Sequence, residues 1–357
     1  MVRSIEYRQL VTILALFLIV QLAGVLIAFY LASPSEIIQS TAPSASSSLI
    51  FYFAYIVITA VIMMFLFKVY RGNLLFVIIE AIVVVSASFY LFVIVIGSFL
   101  PQAGGAYAIA ISLALAIALI VAKNKWPQLR NLTAVVASIG VGVVLGSYFS
   151  FFAAYALMAF IAVYDYVAVF VTRHMIALGR ESVNRNLSFM IGSYNVEVVP
   201  KSYMKEKDLR ALRKSMAASK GKNTELNSLV KAGNYPMPSF SALGTGDLAM
   251  PLMLAVSAYL TYYQYFISLL IVVGGAFGLV FAMYVSKRYK IALPAIPPLL
   301  AFIGIALAAS TASFGTAGFV SYVLLLAASM IMLALMLTSA KRQSRIGGDR
   351  ARIIKTS

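Results

Sequence analysis

The chain has no cysteine and a single histidine, His174, among its 357 residues. Disulfides, cysteine-ligated metal and a thiol nucleophile are therefore excluded, and a histidine-rich metal site with them. No metal or other cofactor is expected. Charge is also scarce: 11% of residues are charged, against roughly 25% in a soluble domain. Apolar residues take their place, at 62% of the chain and a mean hydropathy of +0.95. They come in blocks of about 20 residues, which is the signature of membrane spans rather than of a water-soluble core. The net charge of +17 then points to cytoplasmic loops lying against anionic lipid headgroups, not to nucleic acid.

Ten apolar segments can be marked: 10–31, 49–67, 74–100, 106–122, 132–147, 151–172, 241–262, 265–286, 293–312 and 318–338. The first, Leu10 to Leu31, is longer than the 7–15 residues of a signal-peptide core and reads as a transmembrane helix. The basic residues test this count, because Lys and Arg collect in cytoplasmic loops. They lie at the N-terminus (Arg3, Arg8), between segments 2 and 3 (Lys68, Arg71) and between segments 4 and 5 (Lys123, Lys125, Arg130). They recur between segments 6 and 7 (twelve residues from Arg173 to Lys231), between segments 8 and 9 (Lys287, Arg288, Lys290) and in the tail from Lys341. Together these are all 28 Lys and Arg, and the alternate loops have none. Both termini are thus expected in the cytoplasm of a multi-pass protein of the cell membrane. The expected divisions are 1–150 (segments 1 to 5), 151–172, a basic loop at 173–240, 241–312, an extra helix within 313–340, and a basic tail at 341–357. Within the loop, Tyr194 to Val199 is a strand candidate ended by Pro200.

Three of the eleven acids fall inside apolar segments: Glu80, Asp165 and Asp247. A carboxylate at membrane depth is costly and is a functional-site candidate by default. Asp165 precedes Arg173 by eight residues, a depth of roughly 12 Å at helical rise. Asp247 follows Pro238 by nine residues, roughly 13 Å by the same measure. Segments 6 and 7 run in opposite directions, so their two acids reach one level. Two carboxyls close together in low dielectric cannot both ionise easily; they share a proton, and such a pair can activate water and protonate a carbonyl oxygen. On depth and spacing alone, proton or cation transport is the commoner use of membrane acids. Glu80, seven residues into its segment, is expected to reach headgroups or a polar partner.

Asp247 ends Gly244-Thr245-Gly246-Asp247. Glycines there let another backbone approach the acid and let the helix start unwind, and Pro251 one turn later favours a kink. Asp165 follows Tyr164, a possible hydrogen-bond donor. Leu293-Pro294-Ala295-Ile296-Pro297-Pro298 cannot be regular helix throughout, although Pro294 could open one. Its freed carbonyls are tolerated in a bilayer only against protein or a water-filled cavity.

In that order, Tyr164-Asp165, Gly244 to Asp247, and Pro294-Ala295-Ile296 resemble the presenilin and signal peptide peptidase family of intramembrane aspartyl proteases. The family's motifs are Tyr-Asp on helix 6, Gly-x-Gly-Asp on helix 7 and Pro-Ala-Leu before helix 9. Ile296 stands for Leu, and Thr245 replaces a commoner apolar residue, which bears on cleavage-site preference. The resemblance implies an all-α, polytopic transmembrane bundle of nine family helices, here with a tenth. It implies a catalytic dyad of Asp165 and Asp247, supported by Tyr164, Gly244, Thr245 and Gly246, with Pro294, Ala295, Ile296 and Pro297 at the substrate. The implied substrates are transmembrane proteins or peptides in lipid. With no obligate protein cofactor evident, the chain looks like a prokaryotic, archaeal-type member acting alone.

The rival readings are a proton-coupled transporter or cation channel, a prepilin-type peptidase, which lacks the third motif, and a non-catalytic scaffold. Gly142-x-x-x-Gly146 and Gly274-x-x-x-Gly278 read as helix-packing faces. His174 reads as a solvated loop residue, and Tyr259, Tyr262, Tyr263 and Tyr265 as an interfacial belt.

Overall fold

A backbone in lipid must satisfy its own hydrogen bonds, so apolar runs of this length become helices. A computed structural model describes residues 2–32, 58, 62, 74–99, 105–172, 175, 187–200, 234–289 and 291–356. Among them are nine α-helices: α1 (Val2–Ala32), α2 (Leu74–Phe99), α3 (Gly105–Lys125), α4 (Arg130–Tyr148), α5 (Phe151–Tyr166), α6 (Thr245–Tyr262), α7 (Tyr265–Tyr289), α8 (Ile296–Leu307) and α9 (Gly315–Thr356). Segment 2, apart from Ile58 and Ile62, lies outside the described residues, as do His174 and most of the loop before α6. Among the described residues, eight helical stretches are long and apolar enough to cross a membrane.

Two compact units are distinguished. One comprises Met1–Ile13 with Gly192–Ala242, the other Leu14–Ile191 with Leu243–Ser357. Two strands, β1 (Met190–Pro200) and β2 (Asn234–Gly244), pair as a two-stranded sheet. The expected strand at Tyr194 to Val199 is the interior of β1. β2 is a correction: residues 241 to 244 are extended, not the start of a helix. Its prolines, Pro236 and Pro238, look like breakers in sequence. In a two-stranded sheet every strand is an edge, and an edge tolerates them.

Within the larger unit, burial separates inner helices from outer ones. Of the spans Arg130–Tyr148, Phe151–Val171 and Ile296–Phe314, 56% is buried; of those in α1, α2 and α9 only 28%, and of α3 22%. The outer helices present large apolar side chains such as Leu26, Ile82, Val121 and Leu324 outward, where lipid would cover them. The inner helices approach through small residues. A Cβ on Gly142 would meet the Leu252 side chain at 2.8 Å, and one on Gly146 would meet the Met253 carbonyl oxygen at 2.7 Å, so α4 lies against α6. On Gly278 it would meet Leu299 Cα at 2.6 Å, so α7 lies against α8. Both glycine pairs are thus packing faces.

The far ends of α5 and α6 are joined by rings. Phe151 lies 5.5 Å from Tyr262 and 5.5 Å from Phe314. Tyr259 is buried and lies 4.8 Å from Tyr265. Of the four tyrosines expected at an interface, Tyr259 is buried, and Tyr263 and Tyr265 are exposed. α9 runs well past the apolar segment that predicted it, through the basic tail to Thr356. It packs on α5 and α8, through Leu333, Met336 and Ala340 against Phe170 and Ala301. Tyr166 Oη and Ser339 Oγ are hydrogen-bonded at 2.8 Å.

Candidate active site

Asp165 lies in the last turn of α5 and is 6% exposed. The helix changes character immediately after it: Val167–Val171 is π-helical, closed by the Thr172 N–H donating to the Val167 carbonyl at 3.0 Å. Such turns are rare and gather at functional sites. Nothing in the apolar run Val167 to Val171 marks it in sequence.

The Asp165 carboxylate faces the start of α8. The Ile296 N–H donates to Oδ2 at 3.4 Å, and the Ala295 N–H also interacts with the carboxylate. The proline cluster explains this arrangement. A helix leaves its first N–H groups without intrahelical partners. Pro297 and Pro298 occupy the first turn of α8 and have no N–H, so Ile296 and Ala295 supply the donors that meet the acid. The expectation of freed carbonyls near the aspartates is thereby refined, because the cluster offers donors. Pro294, Ile296 and Pro297 are buried, and Ala295 is half-buried.

Asp247 is the third residue of α6. Gly244, the N-cap, is extended at φ −66°, ψ 146°, and its N–H donates to Asp247 Oδ2 at 3.2 Å. Anions are favoured in this first turn by the helix dipole. Because the chain is extended through Gly244, the depth of Asp247 cannot be counted at helical rise from Pro238, which corrects that estimate. Gly246 is exposed, and a Cβ there would meet nothing within 4 Å, so open space adjoins the acid. Gly244 serves differently: a Cβ on it would stand 3.2 Å from Asp247 Oδ2. Pro251 lies inside α6 and lacks the N–H that would bond the Asp247 carbonyl four residues back.

The two carboxyls are brought together: Asp247 acts electrostatically on Asp165. Among the described residues, neither forms an ion pair with a lysine or arginine. Tyr164, half-buried, also interacts with Asp165 electrostatically. Thr245 does not point into open space, as a residue selecting cleavage sites would. Its N–H and Oγ1 both donate to the Phe189 carbonyl, at 3.0 and 3.2 Å.

Several contacts lie outside the sequence expectations. Gln21 Nε2 donates to the Leu248 carbonyl at 2.9 Å, and Ser138 Oγ to that of Thr245 at 3.3 Å. A glutamine inside a membrane span is a signal that could have found the first. Glu80 has the polar partner expected of it, but that partner is Lys123. Assigned by sequence to a cytoplasmic loop, Lys123 is instead buried at 3% exposure, as is Arg130 at 6%.

The sequence pattern of the family described as signal-peptide peptidase, presenilin aspartyl protease matches residues 14–313. No curated protein sequence matches the chain significantly. Two solved structures of a presenilin family intramembrane aspartate protease, in space groups P2 and C222, share its fold. The first is 19% identical, with a TM-score of 0.52, and covers 83% of this chain and 96% of that one. The second is also 19% identical, with a TM-score of 0.54, and covers 85% and 98%. The family match ends just before α9. Helical architecture and sequence pattern agree, and the chain belongs to the signal-peptide peptidase and presenilin family of aspartyl proteases.

Proposed function

We propose that Asp165 and Asp247 are the catalytic pair of this intramembrane aspartyl protease. The observation that carries the reading is two carboxyls, Asp165 buried and Asp247 half-buried, that interact with each other, with neither in an ion pair among the described residues. One carboxylate takes a proton from a water held between them. The other, protonated, donates to the oxygen of the peptide carbonyl as the water attacks. A peptide bond inside a helix is shielded, so the substrate must be extended locally. The open space beside Gly246 admits such a backbone, and the extended stretch at Leu243 and Gly244 offers groups to align it. Pro294, Ala295, Ile296 and Pro297 border the site from the other side. Ala295 and Ile296 hold Asp165 through backbone N–H groups, and Gly244 holds Asp247 in the same way.

Members of the family act on transmembrane substrates, and this chain is an integral multi-pass membrane protein. With the basic residues on alternate loops, both of its termini face the cytoplasm. It needs no partner protein for cleavage, and the transporter reading draws no support from fold or family.

The test is mass spectrometry of products from a single-pass transmembrane substrate incubated with purified protein. Internal cleavage by the wild type and none by Asp165→Ala or Asp247→Ala is the expected result. Wild-type cleavage by either variant overturns the assignment.

A further inference from the structure

Glu80 and Lys123 take no part in the chemistry above. Glu80 lies in the second turn of α2 and is fully buried; Lys123 lies in the last turn of α3. Lys123 Nζ stands 2.7 Å from Oε1 and 2.8 Å from Oε2, so both carboxylate oxygens are engaged. Oε1 also accepts the backbone N–H of Ser188 at 2.6 Å. Ser188 belongs to the short irregular run Leu187–Phe189 that leads into β1. The carbonyl of the next residue, Phe189, is the one that takes both hydrogen bonds from Thr245. Thr245 is the first residue of α6, two before Asp247. A continuous line of polar contacts therefore runs from Lys123 through Glu80, Ser188, Phe189 and Thr245 to the turn that carries Asp247.

A buried ion pair is a poor way to hold two helices together. The desolvation of both charges roughly cancels their attraction, and apolar side chains of similar volume serve as well or better. What an apolar side chain cannot do is accept the Ser188 N–H. Removing the acceptor leaves a buried donor unmet and frees the run that braces the start of α6. A helix start is intrinsically loose, because its first N–H groups have no helical partners. Catalytic groups must nevertheless be held to about half an ångström.

We propose that Glu80, held in place by Lys123, is a positioning residue for Asp247: its carboxylate anchors Leu187–Phe189, and Phe189 fixes the first turn of α6 through Thr245. The proposal rests on the assignment of Asp247 as catalytic. It separates the pair from a purely structural tie between α2 and α3, which would be indifferent to whether Glu80 reaches Ser188.

The experiment compares four proteins purified in detergent, with a fluorogenic transmembrane peptide as substrate and thermal unfolding recorded for each. They are the wild type, Glu80→Leu/Lys123→Met, Glu80→Gln/Lys123→Met and Glu80→Asp. The Leu/Met variant has no buried charge and unfolds near the wild-type temperature. Its kcat falls about ten- to a hundredfold, with KM little changed, because a misplacement of about 1 Å costs that much. The Gln/Met variant is equally uncharged, but its amide oxygen still accepts the Ser188 N–H, and it recovers most of the lost kcat. Glu80→Asp keeps the charge beside Lys123 but is one methylene short of Ser188; it lowers kcat at an assay temperature well below its Tm, and it carries the prediction alone if the double variants do not fold. Wild-type kcat in the Leu/Met or Asp variant, or equal losses in the Gln/Met and Leu/Met variants, overturns the proposal. Asp247→Ala is run alongside. Cleavage that survives it removes the dyad, whereas an Asp247-dependent cleavage indifferent to Glu80 removes only the clamp.

Discussion

Two regions of the molecule bury acids in apolar helices and satisfy them in opposite ways. On α2, Glu80 meets a lysine that engages both of its oxygens. On α5 and α6, Asp165 and Asp247 meet backbone N–H groups and each other, with no ion pair among the described residues. A carboxylate neutralised by an ammonium has no proton to trade and serves as a fixed strut. Two carboxyls held by amide donors and not neutralised by an ion pair can exchange a proton with water and substrate. All three are carboxyl groups in apolar helices, Glu80 and Asp165 buried and Asp247 half-buried, and what sets them apart is their neighbours.

That contrast can be broken experimentally. The largest effect is expected at the aspartates. Asp165→Asn or Asp247→Asn should lower cleavage by about a thousandfold or more while leaving the unfolding temperature unchanged or raised. Unfolding of either variant would place the aspartates with Glu80, as struts. Next comes Lys123→Met alone, which leaves the buried Glu80 without its cation. Thermal unfolding in detergent should show a loss of about 3–5 kcal/mol, and adding Glu80→Leu should restore it. Unchanged stability in the single variant would erase the distinction between the two regions. A third variant sharpens the account of the amide donors. Gly278→Ala puts a methyl 2.6 Å from Leu299 Cα and 2.8 Å from the Pro298 carbonyl oxygen, pushing the start of α8 away from α7. A loss of about 1–3 kcal/mol is expected, with slower cleavage because the Ile296 N–H moves relative to Asp165. The smallest effect is at α9: Tyr166→Phe removes the 2.8 Å hydrogen bond to Ser339 and should lower stability by about 1 kcal/mol.

The features legible in the sequence are the local ones. Gly244 to Asp247 and the prolines after Leu293 are contiguous, and their chemistry follows from residue type. Even there the geometry differed. The prolines proved to select which N–H groups remain to face Asp165, and Thr245 proved to be a brace. Extended backbone up to Gly244 was hidden because an apolar-leaning run beside a helix has no period of its own. The π-turn after Asp165 was hidden because Val, Ala and Phe suit it no better than an α-turn. Lys123 was misplaced because a lysine at a helix end normally reaches the headgroups; only a buried acid nearby holds it inside.

Composition, the spacing of apolar runs and the alternation of basic loops were enough to determine a multi-pass helical protein, since lipid leaves a long apolar segment no structure but a helix. Three short motifs in order determined the family. Tertiary structure alone decided which acid meets a lysine and which meets another acid. The partners are far apart along the chain, Glu80 and Lys123 by 43 residues and Asp165 and Ile296 by 131, and only helix packing brings them within reach.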